Sequence, residues 1–260
     1  MGYFLGNAYV SIKMKRIALA LLLAGALVLM PAAAAQAVTV YAASSLTNVL
    51  QDLDDSAKYS FGGSNTLQAQ IERGAPADVF ASASPREAQA LYKERRCTKP
   101  VTFATNKLVL AVRKGSNIDS VYDLRSGGRR LSIGNPNVPI GSYTRKLLTR
   151  MHLSSILKNN TVSNEANVSQ VVAKVGLGSA DAGFVYYTDA KASASRIKPV
   201  ALPRWAQPPV PYQACVVRRS GGDGPGASAY IKKLRSTKGR QALHRYGFGL
   251  KPLSTAKRKR

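Results

Sequence analysis

The chain reads as an α/β protein of two lobes separated by a cleft, and three observations predict it. β-rich and helix-periodic stretches alternate along 260 residues, the pattern of open, mainly parallel sheets covered by helices on both faces. The strands are too many for one small sheet, and the alternation starts afresh after Gly115. Finally, a strand leading through a short Ser- or Gly-rich turn into a helix start recurs four times, which lines up helix N-termini at the carboxyl edge of a sheet. A composition of 45% hydrophobic residues suffices to bury two cores of roughly 100 residues each. No internal period or low-complexity block interrupts it.

The first 37 residues have the form of a secretory leader. Lys13, Lys15 and Arg16 precede an apolar run from Ile17 to Met30, and Ala35-Gln36-Ala37 gives a small-x-small cleavage site. Met14 is an alternative start. The fourteen apolar residues fall short of the ~20 that a spanning helix needs. No Cys lies near the cleavage point, so nothing there indicates a lipid anchor. A protein soluble outside the cytoplasm is expected.

The mature chain opens on a strand at residues 38–42, and a helix follows from Ser44 and Ser45 through Leu53. Residues 59–61 form a brief strand, 62–65 a loop, and 66–73 a helix stopped at Gly74. A buried strand at 77–82 leads into a helix from Ser84 and Pro85 to about Arg95. Residues 107–113 are apolar and β-branched, as in a central strand. Beyond Gly115 come a strand at 131–134, a loop at 136–141 and helices at 142–151 and 167–175. Strand 182–186, helix 188–194, strands 200–202 and 212–218, and a mostly helical stretch at 227–246 complete the chain.

Cys97 and Cys215 are the two cysteines. In an oxidising compartment an even count favours a disulfide, with two buried free thiols as the alternative. The formal charge is +25; loss of the leader's three cations leaves about +22. Such a charge suits a nucleic acid or another polyanion, and a secreted basic polyanion-binding module is the reading of a different class. The cations are dispersed, however, and not interleaved with aromatics. The dense run at residues 257–260 has the form of a solvated tail. No nucleic-acid partner is expected.

The recurring turns carry the chemistry. They fall at Ser44 and Ser45, at Gly62, Gly63 and Ser64, at residues 138–142, and before Val168. Helix N-termini present unpaired N–H groups and the positive end of the helix dipole, which attract an anion. A serine there adds a hydroxyl donor, although any one of them alone is more simply an N-cap. No enzyme set competes: there is no Gly-x-Ser-x-Gly elbow and no phosphate-cradling P-loop. His152 and His244 sit on basic helical stretches away from any acid. Asp78 and Asp181, beside apolar strands, are assigned to capping or turns. Neither a metal cluster nor a cofactor is expected.

Six ordered motifs carry a resemblance. VTVYAASSLT (38–47), FGGSNTLQAQIE (61–72), GAPADVFASA (74–83), TNKLVL (105–110), VPIGSY (138–143) and DAGFVYYTDA (181–190) together resemble the periplasmic molybdate-binding proteins of ABC importers. The likeness spans nearly the whole mature chain. It implies a type II periplasmic-binding fold with two crossovers: a first lobe over 38–112, a second over 113–205, and a return with a basic tail over 206–260. It implies a monomer that takes molybdate or tungstate to a membrane permease. It also implies an oxyanion held by neutral donors only: the hydroxyls and amides of Ser45 and Ser64, the amides of Ile140 and Val168, and the Tyr186 hydroxyl. These donors touch the oxygens of the ligand, with no direct ligation of its metal. Sulfate and phosphate are the alternative ligands of the same architecture. Only eighteen residues separate Ser45 from Ser64, about ten fewer than the family leads one to expect.

Overall fold

The strands split into two five-stranded sheets in a computed structural model that describes residues 37–250. All but the last residue of the leader, and the basic run at 257–260, lie outside the described residues. The first sheet has the order β2-β1-β3-β10-β4 and the second β7-β6-β8-β5-β9. Its members in the first case are β1 (Thr39–Ala43), β2 (Lys58–Gly62), β3 (Val79–Ser82), β4 (Val101–Asn106) and β10 (Val210–Val216). The second comprises β5 (Leu108–Arg113), β6 (Arg130–Gly134), β7 (Thr161–Glu165), β8 (Ala182–Tyr186) and β9 (Ile197–Ala201).

The sheets are mixed, each with two parallel and two antiparallel pairings where mainly parallel sheets were expected. β10 runs antiparallel to β3 and β4, and β5 antiparallel to β8 and β9. The cause is the path between lobes. β4 ends at the cleft and the chain continues through Lys107 straight into β5, which therefore enters the second sheet from its cleft edge. β10 enters the first sheet in the same way after residues 202–209. The strand at 108–113 thus belongs to the second sheet, and the first crossing falls at Lys107 rather than after residue 112. Gln207 laces the two crossings together. Its Nε2 donates to the Leu108 carbonyl (2.8 Å) and its Oε1 accepts from the Leu108 amide (2.9 Å).

Helices cover both sheets by the usual apolar stripes. After a 3-10 turn at Ser44–Leu46 come α1 (Thr47–Leu53), α2 (Ser64–Glu72) and α3 (Pro85–Lys93). The second lobe carries α4 (Pro139–Arg150), α5 (Ile156–Asn159), α6 (Val168–Gly176) and α7 (Tyr187–Ala192), and the chain ends on α8 (Gly224–Arg235) and α9 (Thr237–Arg245). On α6 the residues Val168, Val171 and Val175 are buried, and on α4 Ile140, Tyr143, Leu147 and Leu148. β5 is buried from Leu108 to Val112, as its apolar run requires of a strand covered on both faces.

Helix α4 begins at Pro139 rather than Ser142. Proline fits the first helical turn, where its missing N–H costs nothing. Two strands escape a reading by hydrophobic pattern. β4 holds Thr102, Thr105 and Asn106, and β7 has Val162 as its one apolar residue, lying at the edge of its sheet. Cys97 and Cys215 are joined as a disulfide with Cα atoms 5.9 Å apart. The bridge sits in a small second core with Leu67, Ile71, Phe80 and Leu91.

Candidate functional site

Because β1, β2 and β3 run one way and β6, β7 and β8 face them across the crossings, both sheets point their carboxyl ends into the cleft. The elements that begin there are the Ser44–Leu46 turn and α2 from the first lobe, and α4, α6 and α7 from the second. Ser45, Ser64, Ile140, Val168 and Tyr186 meet around one small pocket. Its volume is about 20 Å³, measured as the positions open to the centre of a water molecule. Space of that order suits a compact ion rather than an extended organic molecule. No Lys, Arg, His, Asp or Glu lines it among the described residues.

Each position has a local cause. Ser64 and Val168 are the first residues of α2 and α6, and Ile140 is the second of α4. Their amides belong to the first helical turn, where N–H groups have no intrahelical acceptor. Asn167 caps α6 by accepting from the Gln170 amide at 3.1 Å. The Ser64 hydroxyl, 1% exposed, accepts from the Ala83 amide at 3.1 Å, which leaves its own proton to donate. Ser45 Oγ shares a 2.8 Å bond with the Tyr212 hydroxyl, which also accepts from Asn106 Nδ2 at 3.3 Å. With Tyr212 donating, the Ser45 proton is likewise free for a ligand.

Tyr186 ends β8 and is 1% exposed. Its hydroxyl is buried and lacks any partner among the described residues. Burial, with the nearby Tyr212 adding to it, pushes the phenol well above its ordinary pKa, so it remains a donor. An orphaned buried hydroxyl costs on the order of 1–3 kcal/mol. A ligand oxygen would remove that cost. Gly63 has its own reason to be glycine: a Cβ there would overlap the Ala166 carbonyl of the opposite lobe.

The other sequence candidates lie elsewhere. Asp78 accepts from the Thr39 amide (2.9 Å), Arg219 Nη2 (2.7 Å) and the Asp223 amide (3.2 Å), a structural clamp. Asp181 pairs with Arg130 (2.6 Å). His152 and His244 are exposed. Tyr212 and Asn106 are supporting residues that motif reading missed. Tyr212 looks like any aromatic in a strand, and only the packing of β10 beside the cleft brings it to Ser45.

Two α/β lobes closing on a pocket of neutral donors define a solute-binding protein. The chain belongs to the bacterial extracellular solute-binding protein family, whose model matches residues 38–249. It is 35% identical over 259 residues to the molybdate-binding protein of Haemophilus influenzae, covering 92% of this chain and 99% of that one. Its identity to the molybdate-binding protein of Mycobacterium tuberculosis is 32%, over 84% and 86% of the two chains. The solved periplasmic molybdate-binding protein of Azotobacter vinelandii matches with a TM-score of 0.73 at 24% identity, over 82% of this chain and 99% of that one. At that identity the likeness is one of fold.

Proposed function

We propose that this protein captures molybdate or tungstate outside the cytoplasm and delivers it to the membrane permease of an ABC importer. The observation that carries the reading is the pocket of uncharged donors drawn from both lobes, with the Tyr186 hydroxyl in its wall unpartnered among the described residues. A dianion surrounded by fixed N–H and O–H groups gains charge-assisted hydrogen bonds without a neighbouring cation. The absence of a carboxylate among the described lining residues disfavours hydrogen phosphate, whose proton needs an acceptor. Between the remaining tetrahedral dianions the choice falls to size. Donors spaced for the longer metal–oxygen bonds leave sulfate with stretched contacts. The Haemophilus influenzae and Mycobacterium tuberculosis relatives are named for molybdate.

Calorimetry and thermal shift with molybdate, tungstate, sulfate, phosphate and perchlorate test this. The two metal oxyanions should raise the melting temperature at micromolar levels, and sulfate should do so only in large excess. Ser64→Ala and Tyr186→Phe should each weaken molybdate binding about ten- to a hundredfold. Equal shifts from sulfate and molybdate would overturn the size argument.

A further inference from the structure

A buried carboxylate stands on the flank of the pocket. Glu87, in the first turn of α3, is 1% exposed. It accepts from the Ser84 hydroxyl, from Ser82 Oγ (3.4 Å), and from Arg86 Nε (2.9 Å) and Nη2 (2.7 Å). The arginine it holds reaches out of its own lobe. Arg86 Nη2 also donates to the carbonyl of Asn137, in the turn that opens α4 on the second lobe. Tyr143 of α4, itself 6% exposed, faces the same Ser84 and Glu87.

Both ends of this chain of bonds lead to pocket donors. On the first lobe, Ala83 sits between Ser82 and Ser84 and gives its amide to the Ser64 hydroxyl. On the second, Asn137 is followed by Val138, the N-cap of α4, so its carbonyl is fixed three residues before Ile140. Arg86 itself does not line the pocket.

We propose that Arg86, oriented by Glu87, is an interlobe latch that sets how fast the closed protein releases its anion; this rests on the oxyanion reading above. The division of exposure suits the role. Glu87 stays within its own lobe, capped by two serines, whether or not the lobes part. The Arg86 side chain is 55% exposed, so its outer nitrogen can leave the Asn137 carbonyl and enter water at little cost. The bond forms only in closed molecules, which the ligand-free protein samples in equilibrium with open ones. It therefore contributes nothing to the encounter of an anion with the open lobes and must break before the anion leaves. Arg86 is a positioning residue, acting through the Ser64 turn and the start of α4.

Stopped-flow molybdate binding on Arg86→Ala and Arg86→Lys separates the rates. Arg86→Ala should raise the dissociation rate about tenfold and leave the association rate within about twofold, as expected when mutations act on release. Arg86→Lys should recover part of the loss, since an ammonium still donates to a carbonyl. A dissociation rate unchanged in Arg86→Ala overturns the latch, and so does a loss confined to association or to melting temperature. Small-angle scattering of the ligand-free proteins supplies an arm independent of ligand identity. The alanine variant should have the larger radius of gyration with an unchanged circular dichroism spectrum. If the wild type binds no tetrahedral oxyanion, the functional reading fails, and the latch stands or falls on the scattering alone.

Discussion

Asp189 shows how far a single residue can depart from its surface habit. It sits in the first turn of α7, three residues beyond Tyr186, with Oδ2 buried and without a partner among the described residues. The rest of its side chain borders an interlobe cavity of about 210 Å³, lined also by Ser44, Thr47, Asn48 and Ser169. Desolvation pushes its pKa up to about 7, with the Tyr186 and Asp189 backbone amides pulling the other way. The sign follows. The unfolded carboxyl titrates near 3.8, so between about 4 and 7 the folded state holds a proton that the unfolded state has released. Stability from this group is then present below that window and lost as pH rises through about 7. Asp181 moves oppositely, held low by its hydrogen bond to Arg130, and its effect is confined to more acid solution. Melting temperatures from pH 5 to 8 should fall with pH in the wild type and less steeply in Asp189→Asn. Parallel curves for the two proteins would remove Asp189 from the account. The cavity side of the carboxyl moderates the size of the effect, since any water there screens it.

At the scale of elements, legibility followed hydrophobic contrast. β1, β5 and β8 and the helices α4 and α6 were readable because their apolar residues fall at strand or helix spacing. β4 and β7 were not, since their polar residues match no burial pattern and only pairing with β10 or β6 makes them strands. Four of the five pocket positions were visible at turns before helices, and Tyr186 through the resemblance alone. That they share one wall was beyond the sequence, because it depends on both sheets pointing their carboxyl ends at the same cleft. Tyr212, Asn106 and Arg86 were invisible for the same reason: their partners lie 82 to 167 positions away or in the opposite lobe. The short span between Ser45 and Ser64 is accommodated by a seven-residue α1 and a five-residue β2 in register with β1 from Thr39↔Lys58 to Ala43↔Gly62. A parallel crossover needs about a dozen residues, so eighteen leave little slack. The disulfide ties Cys97, four residues past the end of α3, to β10 across 118 positions, a closure worth up to about 4–5 kcal/mol in the chain-entropy model. Intact protein should show no titratable thiol under non-reducing denaturation, and reduction should lower the melting temperature by several degrees or more. Two thiols titrating before reduction would contradict the pairing.

For the whole molecule the open question is what a charge of +25 does for a pocket that no charged residue lines among those described. Two roles are possible in principle, and they separate kinetically. If the cations act as a field, they raise the local concentration of an approaching dianion and speed association, an effect that can reach tenfold or more at low salt. Screening removes it, since the Debye length falls from roughly 30 Å at 0.01 M salt to about 10 Å at 0.1 M. If they instead bind the anion, salt and neutralisation must also change the dissociation rate. The geometry favours the field. Ser45, Ser64 and Tyr186 supply hydroxyls at the site, and several cations are already engaged, Lys174 with Glu165, Arg130 with Asp181, Lys233 with Asp54 and Arg219 with Asp78. Stopped-flow binding of molybdate between about 0.01 and 0.3 M potassium chloride should therefore show an association rate that falls several-fold and a dissociation rate that stays within about twofold. Neutralising the four basic residues at 257–260 should reproduce a small part of the first change and none of the second. Ser64→Ala and Tyr186→Phe should do the reverse, raising dissociation at every salt concentration. Should the tail variant lose more affinity than either donor variant, the anion is held by the basic surface, and the pocket between the lobes is not its site.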